Sequence, residues 1–264
     1  MDDLMIARAV ANQKAISFAN FMVGAFLGGF LAEYSSKLPF WVAFCFMAGA
    51  FCVSRVFTEP PKKEIDWEMP WHKAMMEVIR FCFAQNKRIR KLILLSALIC
   101  GGLQAGVILF PLYLSLCGLS LVQIGLIYAL YSLVSAVAAK LAPEIHIRKG
   151  ETFCFVWMLL LVVIGYLLLG STLWAYAFLF AVLQQIAKGY AESVLSIEID
   201  RQCTSQNKTS VLSLKATAEW LARSIVILPV GFLVQASGPQ ATFVMLGVAV
   251  VSLETVLLGR KETA

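Results

Sequence analysis

Eight long apolar stretches divide this chain, and nearly all of its basic residues fall between them on alternate sides. A helix that crosses a bilayer needs about 20 mostly apolar residues, because the hydrocarbon core is about 30 Å thick and each helical residue rises about 1.5 Å. By that measure spans are expected at 15–33, 38–57, 92–116, 120–142, 152–170, 173–197, 210–235 and 239–258. The runs are continuously apolar rather than alternating, which favours helices over a barrel. Composition agrees. The 264 residues are 60% hydrophobic and 14% charged, with a mean hydropathy of +0.79, too little polar surface to coat a water-soluble globule. The expected fold class is an all-α polytopic membrane protein with eight transmembrane helices, its main partner the lipid bilayer.

Charge sets an orientation. With the N-terminus in the cytoplasm, Lys37 is the only basic residue in an external loop, Lys188 and Arg223 lie within spans, and the other 19 of the 22 Lys and Arg fall in cytoplasmic loops, termini or span ends. Basic residues mark the cytoplasmic side of a membrane protein. Both termini are therefore expected inside, in the plasma (inner) membrane. Lys62, Lys63, Arg88, Arg90, Arg148, Lys149 and Arg260 belong to the inner face, and the sequon Asn207-Lys208-Thr209 falls in an inner loop that escapes glycosylation. The same rule accounts for the net charge of +6 without nucleic acid as a partner. The start, MDDLMIARAVANQK, lacks the basic region, short apolar core and cleavage site of a signal peptide.

Several kinds of chemistry are disfavoured. The seven cysteines stand singly, most of them inside apolar spans, where Cys behaves as a small hydrophobe. No C-x-x-C or His/Cys cluster suggests a metal or redox centre. The two histidines, His72 and His146, lie in inner segments, and no H-E-x-x-H, G-x-S-x-G or P-loop is present. No catalytic residue, metal or cofactor is expected.

One long connection, about 58–91, interrupts the spans. Pro60, Pro61 and Pro70 break its first part. From Trp71 it reads as an amphipathic helix, with Met75, Met76, Ile79, Phe83 and Ile89 opposed to Lys73, Arg80, Lys87, Arg88, Arg90 and Lys91. A basic amphipathic helix beside a membrane lies in the interface. Two spans precede this loop and six follow it. A weak repeat crosses it: Gly29-Phe30-Leu31 and Gly231-Phe232-Leu233 each end a span before a short turn and the start of the next.

At this point the chain resembles the major facilitator superfamily from its fifth helix to its twelfth. Gly24-Ala25-Phe26-Leu27-Gly28-Gly29 is similar to the end of the glycine-rich fifth-helix motif of exporters, with Ala25 where those have proline. Phe110-Pro111-Leu112-Tyr113, Gly118-Leu119-Ser120 and Ile124-Gly125 resemble the turn between helices seven and eight. The segment from Lys140 to Gly150 occupies the place of the family's Gly/Asp/Arg loop motif and keeps only a basic pair and a glycine. Asn207 to Leu214 resembles the entry to helix eleven, whose usual proline and glycine are matched by Pro229 and Gly231. The resemblance implies that 1–57 holds the last two helices of an N-terminal bundle, that 58–91 is the cytoplasmic linker, and that 92–264 is a C-terminal six-helix bundle. It implies a secondary transporter of a small solute working by alternating access, coupled to a proton or sodium ion where coupling exists. It further implies an N-terminal half lacking its first four helices, made up by self-association or by a separate piece. A non-transporting membrane subunit or a degenerate transporter fragment is the alternative. Gly24, Gly28, Gly29, Pro229 and Gly231 are the expected helix-packing positions, since small residues let helices approach closely.

Polar residues inside spans are costly and therefore candidates for function. Gln184, Gln185, Lys188 and Glu192 stand in the sixth span, with Lys188 and Glu192 four apart on one face. Lys215, Glu219 and Arg223 repeat the spacing in the seventh. Gln104 stands in the third. Gln104, Gln184, Lys188, Glu192, Glu219 and Arg223 are the expected lining of a solute or coupling pathway. The competing reading is that the charges only pair within and between helices, which also lowers the cost of burying them. Glu198, Asp200 and Arg201 read as solvated loop charges.

Overall fold

The computed structural model describes residues 2–58, 70–203 and 208–259. The first part of the linker, with Lys62 and Lys63, the sequon residue Asn207 and Arg260 lie outside the described residues. The helices are α1 (Asp2–Tyr34), α2 (Leu38–Ser54), α3 (Trp71–Arg80), α4 (Lys87–Leu116), α5 (Leu121–Lys149), α6 (Glu151–Ser171), α7 (Phe178–Arg201) and α8 (Lys208–Gly259). A π-helical turn, Phe81–Gln85, joins α3 to α4, and a 3₁₀ turn, Ala175–Ala177, precedes α7.

The expectation of eight transmembrane helices is not met. Among the described residues, five helices are long and apolar enough to cross a membrane: Ala7–Tyr34, Lys87–Leu116, Leu121–Lys149, Glu151–Ser171 and Lys208–Ser252. Three physical differences separate this from the hydropathy reading. Within the span expected at 38–57 the helix covers only Leu38–Ser54, 17 residues, about 25 Å at 1.5 Å per residue, short of the hydrocarbon thickness. In α7 the apolar run is diluted by Gln184, Gln185, Lys188 and Glu192. The stretches 210–235 and 239–258 belong to one helical element, α8, broken at Gly238 by a left-handed φ of 78°. The chain folds back there: Ala222 meets Gly101 and Val250 meets Gly102, so both arms of α8 lie against the middle of α4.

Local chemistry sets the helix ends. Asn86 caps α4 by accepting from the Ile89 amide at 3.0 Å. Ser120 and Gln123 form a reciprocal capping box on α5. Gly118 and Gly150, both with φ near 80°, reverse the chain after α4 and between α5 and α6, in a conformation other residues adopt only under strain. The core gathers around Phe243, whose ring lies 5.7 Å from those of Phe110 and Tyr113 and 6.0 Å from Tyr166. Each tyrosine hydroxyl finds a carbonyl. Tyr113 donates to Thr172 at 2.6 Å, and Tyr166 donates to Gly102. Large rings are thereby buried with no donor left over.

Helix α1 packs chiefly along α5, whereas α2 leans chiefly on α1 and buries no residue. The α1–α5 seam closes at Gly29 and Gly125. A Cβ at Gly29 would stand 2.8 Å from the Gly125 Cα, and one at Gly125 would stand 2.9 Å from the Ala25 carbonyl. Of the other expected packing positions, Gly24, Gly28 and Gly231 have nothing within 4 Å of a built Cβ, and Pro229 is exposed within α8. Gly125→Leu is therefore expected to pry α1 from α5 and lower the melting temperature in detergent by several degrees. Gly28→Ala, with open space around its Cβ, should melt at or slightly above the parent, since Ala favours a helix over Gly by about 0.5–1 kcal/mol. Equal melting of both variants would refute the seam.

Candidate functional site

A pocket of about 560 Å³ opens between α1 and the group formed by α4, α5 and α7. From α1 come Ser17, Phe18, Asn20, Phe21, Gly24 and Ala25; from α4, Val107 and Phe110; from α5, Tyr128, Tyr131, Ser132 and Ser135; from α7, Gln185 and Lys188. The two sides are held at fixed distance by the Gly29–Gly125 seam at one end of α1 and by an Arg8–Glu144 contact of 3.4 Å at the other. Lys188 is the one charged residue lining the pocket. Its ammonium sits 5.4 Å from the centre of the Phe18 ring, within cation–π range.

The expected pathway residues separate into distinct places. Lys188 does not pair with Glu192 one turn on. Glu192 instead meets Lys14 of α1 at 3.7 Å, while remaining in the electrostatic field of Lys188 together with Arg223. Glu219 is held by Lys215 at 2.8 Å along α8 and accepts from Ser96 of α4. Lys215, only 4% exposed, also donates to Ser196 of α7 at 3.2 Å. This cluster ties α4, α7 and α8 together. Arg223 stacks over Trp220 at 4.7 Å and faces Cys100, with its Nε buried and unpartnered among the described residues. Gln184 turns away from the pocket towards α6, where its amide reaches the Val162 carbonyl at 3.5 Å. Gln104 is half-buried on α4.

Sequence reasoning missed a second charged centre. Glu198, expected among solvated loop charges, is buried at the end of α7. Its carboxylate receives Arg201 at 2.8 Å, Arg88 of α4 at 3.1 Å and His146 of α5 at 3.1 Å. Arg88 also reaches Glu151 of α6 at 3.1 Å, so the knot joins four helices at one end of the bundle. The hydrogen bond from His146, aided by Arg201 and Arg88, holds the Glu198 carboxyl below the usual range against the opposing effect of burial. A signal did exist. His146 stands at the place of the loop motif, and a carboxylate is a common partner for a histidine. Local spacing does not reveal which one.

Membrane helices packed around a pocket with few, fixed polar groups define a transporter-like membrane protein. The chain belongs to the major facilitator superfamily, whose family model matches residues 6–183, about two thirds of its length. That family is one of transporters, not enzymes. No curated protein matches the chain.

Proposed function

We propose that this chain carries a small solute across a membrane by alternating access, with the pocket between α1 and α4, α5 and α7 as the solute site. The observation that supports this reading most is that the two walls of the pocket come from segments on opposite sides of the long linker. A solute bound to both walls stabilises whichever arrangement brings them together, and differential binding of that kind is all that transport requires. In this reading residues 1–57 belong to a first bundle and residues from 92 onward to a second. The basic connecting segments face the cytoplasm of a plasma (inner) membrane. Lys188 anchors the solute. Glu192, with Lys14 and Lys188 beside it, is the carboxylate available for coupling to a proton or sodium gradient. Gln104, Gln184, Glu219 and Arg223 position α4, α7 and α8 around the path.

Gly24 supplies the test. It lines the pocket with open space around it, so Gly24→Trp fills the site without displacing the backbone. The purified protein in proteoliposomes is assayed against a panel of small solutes by solute-evoked currents and by uptake. Any flux carried by the parent is expected to vanish in Gly24→Trp while its melting temperature is kept. Undiminished flux in that variant would remove the pocket from the pathway.

One observation favours a second reading, that of a membrane subunit without transport of its own. Helix α2 buries nothing and exposes Phe40, Trp41, Phe44 and Phe46. Co-purification of a stoichiometric partner that protects α2, with no flux from the chain alone, would decide for it.

A further inference from the structure

The chemistry of the pocket wall restricts what can bind. We infer that the ligand of this pocket is an organic anion with an apolar, preferably aromatic body, its anionic group seated on Lys188. This rests on the reading of the pocket as the solute site.

The argument begins with the hydroxyls. Five line the pocket, and four already donate to backbone carbonyls. Tyr128 donates to Val107 at 2.9 Å, Tyr131 to Phe178 at 2.8 Å, Ser132 to Tyr128 at 2.9 Å and Ser135 to Gln185 at 3.0 Å. Those protons are already engaged, and a ligand that took one would have to break an internal bond to do so. A sugar or other polyol, which must exchange many hydrogen bonds with its site, is poorly served here. The donors that remain are the Lys188 ammonium, the Asn20 and Gln185 amides and the Ser17 hydroxyl.

Charge narrows the choice further. No carboxylate is among the lining residues, so an organic cation would meet Lys188 with no counter-ion. Lys188 itself makes no ion pair among the described residues, because Glu192 is taken by Lys14. An anion beside its ammonium completes the pair that the protein leaves open, and such a charge-assisted bond is stronger than a neutral one. The rest of the wall is apolar. Phe18, Phe21, Phe110 and Val107, with the faces of the two tyrosine rings, match a hydrophobic or aromatic body. The volume is in the range of about 300–1,000 Å³ usual for drug-sized ligands.

The test uses the full chain in lipid nanodiscs and three probes of one shape: 2-naphthoate, 2-naphthamide and 2-naphthylmethylammonium. Binding is measured by equilibrium dialysis, with protein-free nanodiscs subtracting partition into lipid. Saturable binding of naphthoate is expected, roughly tenfold or more tighter than that of the amide, as a charge-assisted bond would give. Lys188→Gln should erase that difference. Lys188→Arg should retain it, which separates loss of charge from loss of fold. The inference is overturned if naphthoate shows no saturable binding at millimolar concentration, if the amide or the amine binds as tightly, or if Lys188→Gln changes nothing. The transport reading fails separately. Lys188-dependent naphthoate binding without any flux would leave the ligand class standing and reject transport. Flux of a polyol or an amine that Gly24→Trp blocks and Lys188→Gln does not would do the reverse.

Discussion

Gly189→Leu is expected to leave no properly folded, monodisperse protein, and even Gly189→Ala should melt far below the parent. At this position α7 crosses α5 so closely that an added Cβ would overlap the carbonyl oxygen of Ser135. The obstacle is backbone, which cannot swing aside as a flexible side chain would. The facing surface of α5 is a row of small buried residues, Ser135, Ala139 and Ala142, each fully enclosed. Small residues in register are what let two membrane helices come this near. Overpacking a tight core costs about 1–3 kcal/mol where neighbours can adjust, and more where they cannot. Ser135 also bonds the Gln185 carbonyl and lines the pocket, so forcing the helices apart should distort the site as well. Size-exclusion profile and thermal melting of the two variants in detergent check this. A Gly189→Ala protein melting with the parent would mean that the helices are not in backbone contact.

The second large effect is expected at Glu198. Glu198→Ala strands Arg88, Arg201 and His146 around a missing carboxylate. Removing one member of a fully buried pair costs about 3–5 kcal/mol. Arg88 and Arg201 keep 49% and 38% of their side-chain surface exposed, so water compensates in part, and about 2 kcal/mol is the expected loss. Because α4, α5, α6 and α7 meet in this knot, the loss should appear as a lower melting temperature of the whole bundle.

The same group gives a pH signature. The Glu198 carboxyl is held below its ordinary value of 4.5 in the folded protein. Its contribution to stability is therefore present above that ordinary value and is lost as pH falls from there through the folded value. The Glu198→Gln variant should lack this part of the acid-side decline when melting is followed from neutral pH to about pH 3. Identical acid limbs in parent and variant would show that the carboxylate is not preferentially charged in the fold.

Both positions illustrate what a one-dimensional reading can and cannot reach. Gly189 stands in the sequence as an ordinary glycine after Lys188, with no partner in view. Glu198 follows a run of apolar residues near a helix end, where a solvated charge is the usual occupant. Their significance comes from residues about 50 positions away, Ser135 and His146. The Lys188–Glu192 pair fails for the same reason. Four-residue spacing places two side chains on one face, but Lys14, coming from α1, competes for the carboxylate and prevails. Lys215 and Glu219, with the same spacing and no such competitor, do pair.

The sequence alone determined that this is a helical membrane protein, that its polar residues within α7 and α8 are exceptional, and which family it resembles. These follow from composition and from short motifs, which depend only on neighbours along the chain. Hydropathy windows could not determine how many helices are long and apolar enough to cross. They do not show that α2 ends at Ser54 or where the helix of Lys208–Gly259 breaks. Only the tertiary structure decided that Lys188 stands alone in a pocket, that Glu198 is buried in a four-helix knot, and that Gly29, Gly125 and Gly189 carry the close crossings. Helix register is fixed by where small residues on two distant segments fit together, and the free energy of that fit belongs to the pair.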